Sequence, residues 1–268
     1  DVAGVTLGQD ASGSSWGDID NDGDPDCISA SVVCGLHYNN GDNTFSPQNT
    51  LLADFSTYRG WDCSLADADN NGLLDLFFAH ADNFPQGSAQ QPCKLYLQLE
   101  KDSFSLVTGY EFSSLFKPYT IPVWTDFDLD GDMDLLIGSG PGGAPGPDFC
   151  YRNLLKESGT FSLERLASFP FNELQDGQVY NAIDFDNDGD MDICLTNYAG
   201  AKTRFYVNNG GVYLETPTPF TIQGGLLSNV WADIDNDGDL DVLISVDGDP
   251  NIFFYRNNAG MFASAVSL

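Results

Sequence analysis

Positive charge is scarce in this chain. Ten Lys and Arg face 40 Asp and Glu across 268 residues, a formal charge of −30. A field of that sign repels phosphate backbones and anionic headgroups, which excludes nucleic acid as a partner. No apolar run approaches the roughly 18 residues that span a bilayer, so direct membrane insertion is not expected. Histidine is almost missing: His37 and His80 are the two present, each in a strand-like stretch that implies a structural role. There is no Ser or Cys nucleophile signature and no phosphate-cradling glycine loop, because Gly138 to Gly146 is broken by proline. An Asn-x-Ser/Thr sequon and an Arg-Gly-Asp tripeptide are absent as well. No enzyme is expected from this inventory. With 42% hydrophobic and 13% aromatic residues, an acidic disordered tail is equally excluded. The start at Asp1 reads as a processed or trimmed product. Six Cys without CxxC spacing point to disulfides and an oxidising, extracellular or cell-surface setting.

The negative charge is concentrated. Five nine-residue segments share one pattern and hold 23 of the 40 acids. The first comprises Asp18, Asp20, Asp22, Asp24 and Asp26; the second Asp67, Asp69, Asn71, Leu73 and Asp75; the third Asp126, Asp128, Asp130, Asp132 and Asp134. Asp184, Asp186, Asp188, Asp190 and Asp192 form the fourth, and Asp233, Asp235, Asp237, Asp239 and Asp241 the fifth. Carboxylates packed this densely repel unless a cation neutralises them, and hard oxygens in groups of six to eight are what calcium takes. Side chains at positions 1, 3, 5 and 9 can converge, position 7 can offer its carbonyl, and Gly at position 6 permits the turn. Leu73 at position 7 is then tolerated, and Asn71 at position 5 keeps an oxygen donor. Five calcium ions are expected. These are not EF-hands, because position 12 is Ser29, Phe78, Ile137, Leu195 or Ile244 rather than Glu.

Loop starts are 49, 59, 58 and 49 residues apart, and the wrap from the last loop to the first is 53, which predicts a closed circle of five units. Each unit reads as strand, acidic loop, strand, connection, aromatic strand, Asn/Gly turn and a strand opening at Phe45, Phe104, Phe161, Tyr213 or Phe262. Four short strands per unit predict an all-β fold, a five-bladed β-propeller in one domain. Approximate blades are 8–52, 53–110, 111–168, 169–220 and 221–268, with 1–7 available to close the ring. Trp16, Trp124 and Trp231, each two residues before a loop, are expected to pack between blades.

The units resemble the FG-GAP/VCBS repeats of calcium-binding β-propellers, the family that includes the integrin α-subunit propeller. The resemblance rests on Trp-Gly-Asp-Ile-Asp-Asn-Asp-Gly-Asp (16–24), Trp-Ala-Asp-Ile-Asp-Asn-Asp-Gly-Asp (231–239) and Tyr-Arg-Asn-Asn (255–258). It implies a non-enzymatic protein-binding or adhesion module, or alternatively a lectin binding glycans on loops or between blades, with a polysaccharide-degrading enzyme ranked behind both. Integrin-like propellers usually have seven blades where this sequence shows five.

Loops on a rigid scaffold carry binding, and the connections opposite the acidic loops vary most. Tyr58, Arg59, Trp61, Tyr119, Tyr180 and Tyr198 lie there and are the candidate ligand residues, for a protein or glycan partner, with Trp61 weighed as core as well. For the cysteines, a turn centred at Gly248 places Asp241 opposite Tyr255. Carried to the other blades, that register predicts a Cys150–Cys194 disulfide between blades 3 and 4, with Cys27–Cys34 and Cys63–Cys93 completing the set.

Overall fold

A computed structural model describes residues 13–55, 58–81, 90–140, 146–167, 169, 174–175, 177–198, 203–218, 220–222 and 224–268. The stretch 1–7 and parts of the long connections (82–89, 141–145) lie outside them. Five four-stranded antiparallel sheets follow one another as propeller blades. Blade 1 comprises Gly13–Gly17, Asp26–Ala30, Gly35–Asn39 and Phe45–Pro47; blade 2 comprises Asp62–Ala66, Asp75–Ala79, Lys94–Glu100 and Ser103–Leu106. Tyr119–Thr125, Asp134–Ser139, Phe149–Asn153 and Leu163–Leu166 build blade 3. Gly177–Ile183, Asp192–Asn197, Arg204–Asn209 and Val212–Thr216 build blade 4, and Leu226–Ala232, Asp241–Val246, Ile252–Tyr255 and Val266–Ser267 build blade 5. In blade 5 the residues after the third strand first form a small hairpin, Asn257–Asn258 with Met261–Phe262, so the fourth strand starts later than Phe262.

In blades 2, 3 and 4 the second strand is fully buried, because apolar cores cover both of its faces. Along Asp75–Ala79, Leu76 and Phe78 enter the core between blades 1 and 2, while Phe77 and Ala79 enter the core between blades 2 and 3. This period-2 division repeats, with Leu136 in the core between blades 3 and 4 and Leu135 and Ile137 in the one before it. Burying one such Leu or Phe contributes about 1.5–3 kcal/mol.

Register decides the cysteines. Tyr255 pairs with Val242, one residue past Asp241, and the same offset recurs as Leu76 with Tyr96, Leu135 with Tyr151 and Ile193 with Tyr206. A one-residue slip turns every side chain to the other face. Cys150 and Cys194 therefore occupy the same face of their respective blades: Cys150 lies between blades 3 and 4, Cys194 between blades 4 and 5. The expected bridge is overturned. Cys63 and Cys93 are likewise divided between two cores. All six cysteines are buried and none is bridged. Burial pushes the Cys27 and Cys34 thiols up to about 11 and Cys93 to about 12.

Four apolar cores fill the four successive junctions from blade 1 to blade 5. Among the described residues no comparable core joins blade 5 to blade 1. Trp124 and Trp231 pack between blades against Phe77 and Phe205, as the sequence implies, but Trp16 is 57% exposed and touches Phe45 of its own blade. On blade 5, Val230 and Ile234 are exposed too, although Val123 and Phe185 at the same repeat positions pack against a following blade.

Candidate metal centres and the opposite face

Each acidic loop is folded by its own carboxylates. The position 1 Asp accepts from the backbone N–H of position 5 and of the position 6 glycine: Asp18 from Asp22 and Gly23 at 3.0 and 2.9 Å, Asp184 from Asp188 and Gly189 at 3.0 and 3.1 Å, with the same pair of bonds in the other three loops. The glycines take φ between 88 and 97°, which only glycine adopts readily. Position 4 is left-handed as well, at Asn21, Asn70, Leu129, Asn187 and Asn236. The recurring Asn at position 4 was the signal for this in the sequence, since Asn tolerates that conformation best after glycine.

The position 9 Asp closes the loop onto the blade. Asp134 accepts from Phe127 N at 3.0 Å and from Asn153 N at 2.7 Å, and Asp26, Asp75, Asp192 and Asp241 make the equivalent pairs. All five are essentially inaccessible. Burial lifts Asp75 and Asp192 to about 7 and Asp134 to about 8, against the lowering effect of those hydrogen bonds. Position 7 Asp residues clasp the turn between the third and fourth strands, with Asp132 accepting from Lys156 N, Asp190 from Gly210 N and Asp239 from Ala259 N. Those turns therefore share the acidic end of the molecule.

Carboxylate oxygens converge in groups of three, from positions 1, 3 and 5 in the first loop and positions 1, 3 and 9 in the next three. One oxygen from each of Asp18, Asp20 and Asp22 lies within 4.8 Å of the others, and so do oxygens of Asp67, Asp69 and Asp75, of Asp126, Asp128 and Asp134, and of Asp184, Asp186 and Asp192. Buried oxygens of Asp128, Asp130 and Asp235 have no hydrogen-bond partner. Oxygen-only donors, gathered and left unpaired, fit a hard cation. Glu157, on the short helix Leu155–Ser158, adds a carboxylate beside Asp128 and Asp130 that the nine-residue pattern does not contain. Basic side chains reach position 3 in three loops: Lys101 to Asp20 at 3.5 Å, Arg152 to Asp128 at 3.9 Å and Arg256 to Asp235 at 3.1 Å.

A model of the FG-GAP-like repeat matches residues 18–78 and 184–244, each stretch running from one acidic loop through the next and into the strand that follows it. These two stretches of the chain are similar to the FG-GAP-like repeat. A search of curated proteins finds no match. Among solved structures, a lectin of Agrocybe aegerita, described as recognising non-reducing terminal N-acetylglucosamine, is similar over 94% of this chain and 64% of its own, at 20% identity and a TM-score of 0.59. The V. cholerae biofilm matrix protein Bap1 is similar over 94% of this chain and 38% of its own, at 15% identity and a TM-score of 0.48. The chain thus spans less than two thirds of either, and at these identities the lectin's likeness is one of fold.

A third-strand amide ties neighbouring acidic loops together in two places. Asn153 donates to Ala68 O in the preceding loop at 2.8 Å and to Met133 O in its own at 3.1 Å; Asn257 does the same to Phe185 O and Leu240 O. On the opposite face, three of the six candidate ligand residues prove to be core. Tyr58, Tyr119 and Tyr180 are buried, Tyr58 between Phe55 and Phe78 with its hydroxyl donating to Phe78 O. Their large rings fill the tops of the blade junctions, a use that loop position alone does not reveal. Arg59, Trp61 and Tyr198 are partly exposed. Trp61 lines the axial cavity, and Tyr198 of blade 4 donates its hydroxyl to Asp247 of blade 5 at 2.5 Å.

Proposed function

We propose that this chain is a calcium-stabilised, non-enzymatic binding module of the extracellular space, and that it takes a glycan on the face opposite its acidic loops. The observation that carries the calcium assignment is the repeated gathering of carboxylate oxygens in loops whose backbones are already folded, with unpaired buried oxygens in the third. Side chains at positions 1, 3, 5 and 9 and the position 7 carbonyl would hold each ion, and the ion would neutralise charge that otherwise opposes folding. Binding at tenfold below ambient calcium stabilises by about 1.4 kcal/mol per site. Melting is expected to fall in excess chelator and to recover with calcium. An unchanged midpoint in metal-free protein would overturn the assignment.

Tyr198 and Asp247 favour the glycan. They place an aromatic ring beside a carboxylate across the junction of blades 4 and 5, a combination that stacks on a sugar ring and accepts from its hydroxyls. The fold shared with a lectin supports the same reading. A glycan array in calcium is the test, with Tyr198→Ala expected to lose the signal while the melting midpoint holds. A protein ligand is the second reading, favoured by Val33, Leu115 and Phe116, which are exposed on the same face. A blank array together with capture of an extracellular protein dependent on Phe116 would select it.

A further inference from the structure

At the propeller axis, towards the face away from the acidic loops, the leading halves of the five innermost strands surround a cavity of about 360 Å³. Ser14 of blade 1, Trp61, Asp62 and Cys63 of blade 2, Ile121, Pro122 and Val123 of blade 3, Val179 and Tyr180 of blade 4 and Leu227 of blade 5 line it. Aliphatic and aromatic side chains alternate with polar surface around the cavity, and the one charged group on it is the Asp62 carboxylate. Its Oδ1 accepts from Cys63 N–H at 2.8 Å, and this is its single hydrogen bond among the described residues. No Lys or Arg among the described residues lies within ion-pair distance of it. Gly13 of the adjoining strand leaves the carboxylate its room, since a Cβ there would sit 1.7 Å from Oδ1 as it is placed.

A carboxylate held in a partly buried site without a counter-charge costs stability. Burial raises Asp62 to about 7 for that reason. In a chain with four acids for every base, nothing in folding requires another acid at this point. An ammonium ion on a small organic body would satisfy what the cavity presents: ion pairing at Asp62, the indole of Trp61 for cation–π contact and aliphatic walls for the carbon skeleton.

We propose that the axial cavity is a binding site for a small organic ammonium, with Asp62 as the charge-recognising residue and Trp61 as the aromatic wall. This site is separate from the Tyr198–Asp247 junction and does not depend on the ligand assigned there. Isothermal titration of the calcium-loaded protein with n-butylammonium and glucosamine, against n-butanol and N-acetylglucosamine as neutral counterparts, tests it. The amines are expected to bind at least tenfold more tightly than their counterparts, and Asp62→Asn to remove that difference. Leu227→Trp, which leaves the carboxylate in place and fills the cavity from a partly exposed position, is expected to weaken the amines as well and covers the case in which Asp62→Asn fails to fold. No amine binding at millimolar concentration, equal binding of amine and neutral counterpart, or amine binding unchanged in both variants would each overturn the proposal. Binding of N-acetylglucosamine alone, lost on Tyr198→Ala, would overturn it too while leaving the glycan reading intact.

Discussion

Leu129 occupies the one left-handed position 4 that is not asparagine, at φ 64° and exposed to solvent. A left-handed residue with a branched side chain costs about 1–2 kcal/mol, and asparagine recovers part of it through local hydrogen bonds. Leu129→Asn should therefore stabilise the protein by about 0.5–1 kcal/mol, read as a rise in denaturant midpoint at constant slope. Asp62 works in the opposite sense. Its carboxyl is raised from 3.8 to about 7, so between those values the folded state holds more protons than the unfolded chain. Its contribution to stability then falls as pH rises from about 4 to about 7. Asp62→Asn is expected to flatten that part of the stability–pH curve and to raise the melting midpoint more at pH 8 than at pH 4.

At the scale of loops and strands, the third-strand amide distinguishes otherwise similar repeats. Asn153 joins two loops and Asn208 bonds one, at Met191 O. Asn153→Ala should cost about 1–3 kcal/mol through the unsatisfied buried carbonyls it leaves, and Asn208→Ala less, in paired chemical denaturation curves. Cys150 and Cys194 supply a second check. Since they serve different junctions, Cys150→Ala and Cys194→Ala should add within about 0.5 kcal/mol, whereas residues sharing one bridge could not. Much of this level was legible beforehand. The five acidic loops, their flanking strands and the packing of Trp124 and Trp231 follow from a nine-residue pattern whose chemistry is local. What escaped depends on one residue of register: Gly248 suggested a turn centre, the actual pairing lies half a step beyond it, and the cysteine faces inverted. Tyr58, Tyr119 and Tyr180 escaped for another reason. Their position in the connections was readable, but whether a ring at a blade top turns inward is settled by its neighbours in the adjoining blade.

Across the molecule, the described residues of the five blades form four apolar cores, with Trp16, Val230 and Ile234 exposed on blades 1 and 5. A sealed ring gives every blade two neighbours and no edge. Among the described residues, blades 1 and 5 each share an apolar core with one neighbour, so the cores form a linear series of four junctions, and stability is expected to follow a sum over units and the contacts between successive units. Such a series frays. Amide exchange should be slowest in the second strands of blades 2, 3 and 4 and faster in Asp26–Ala30 and Asp241–Val246, although those two strands are hydrogen-bonded just as fully within their sheets. Tension applied between the termini would peel blades off singly from either end, giving a staircase of small force drops instead of one large rupture.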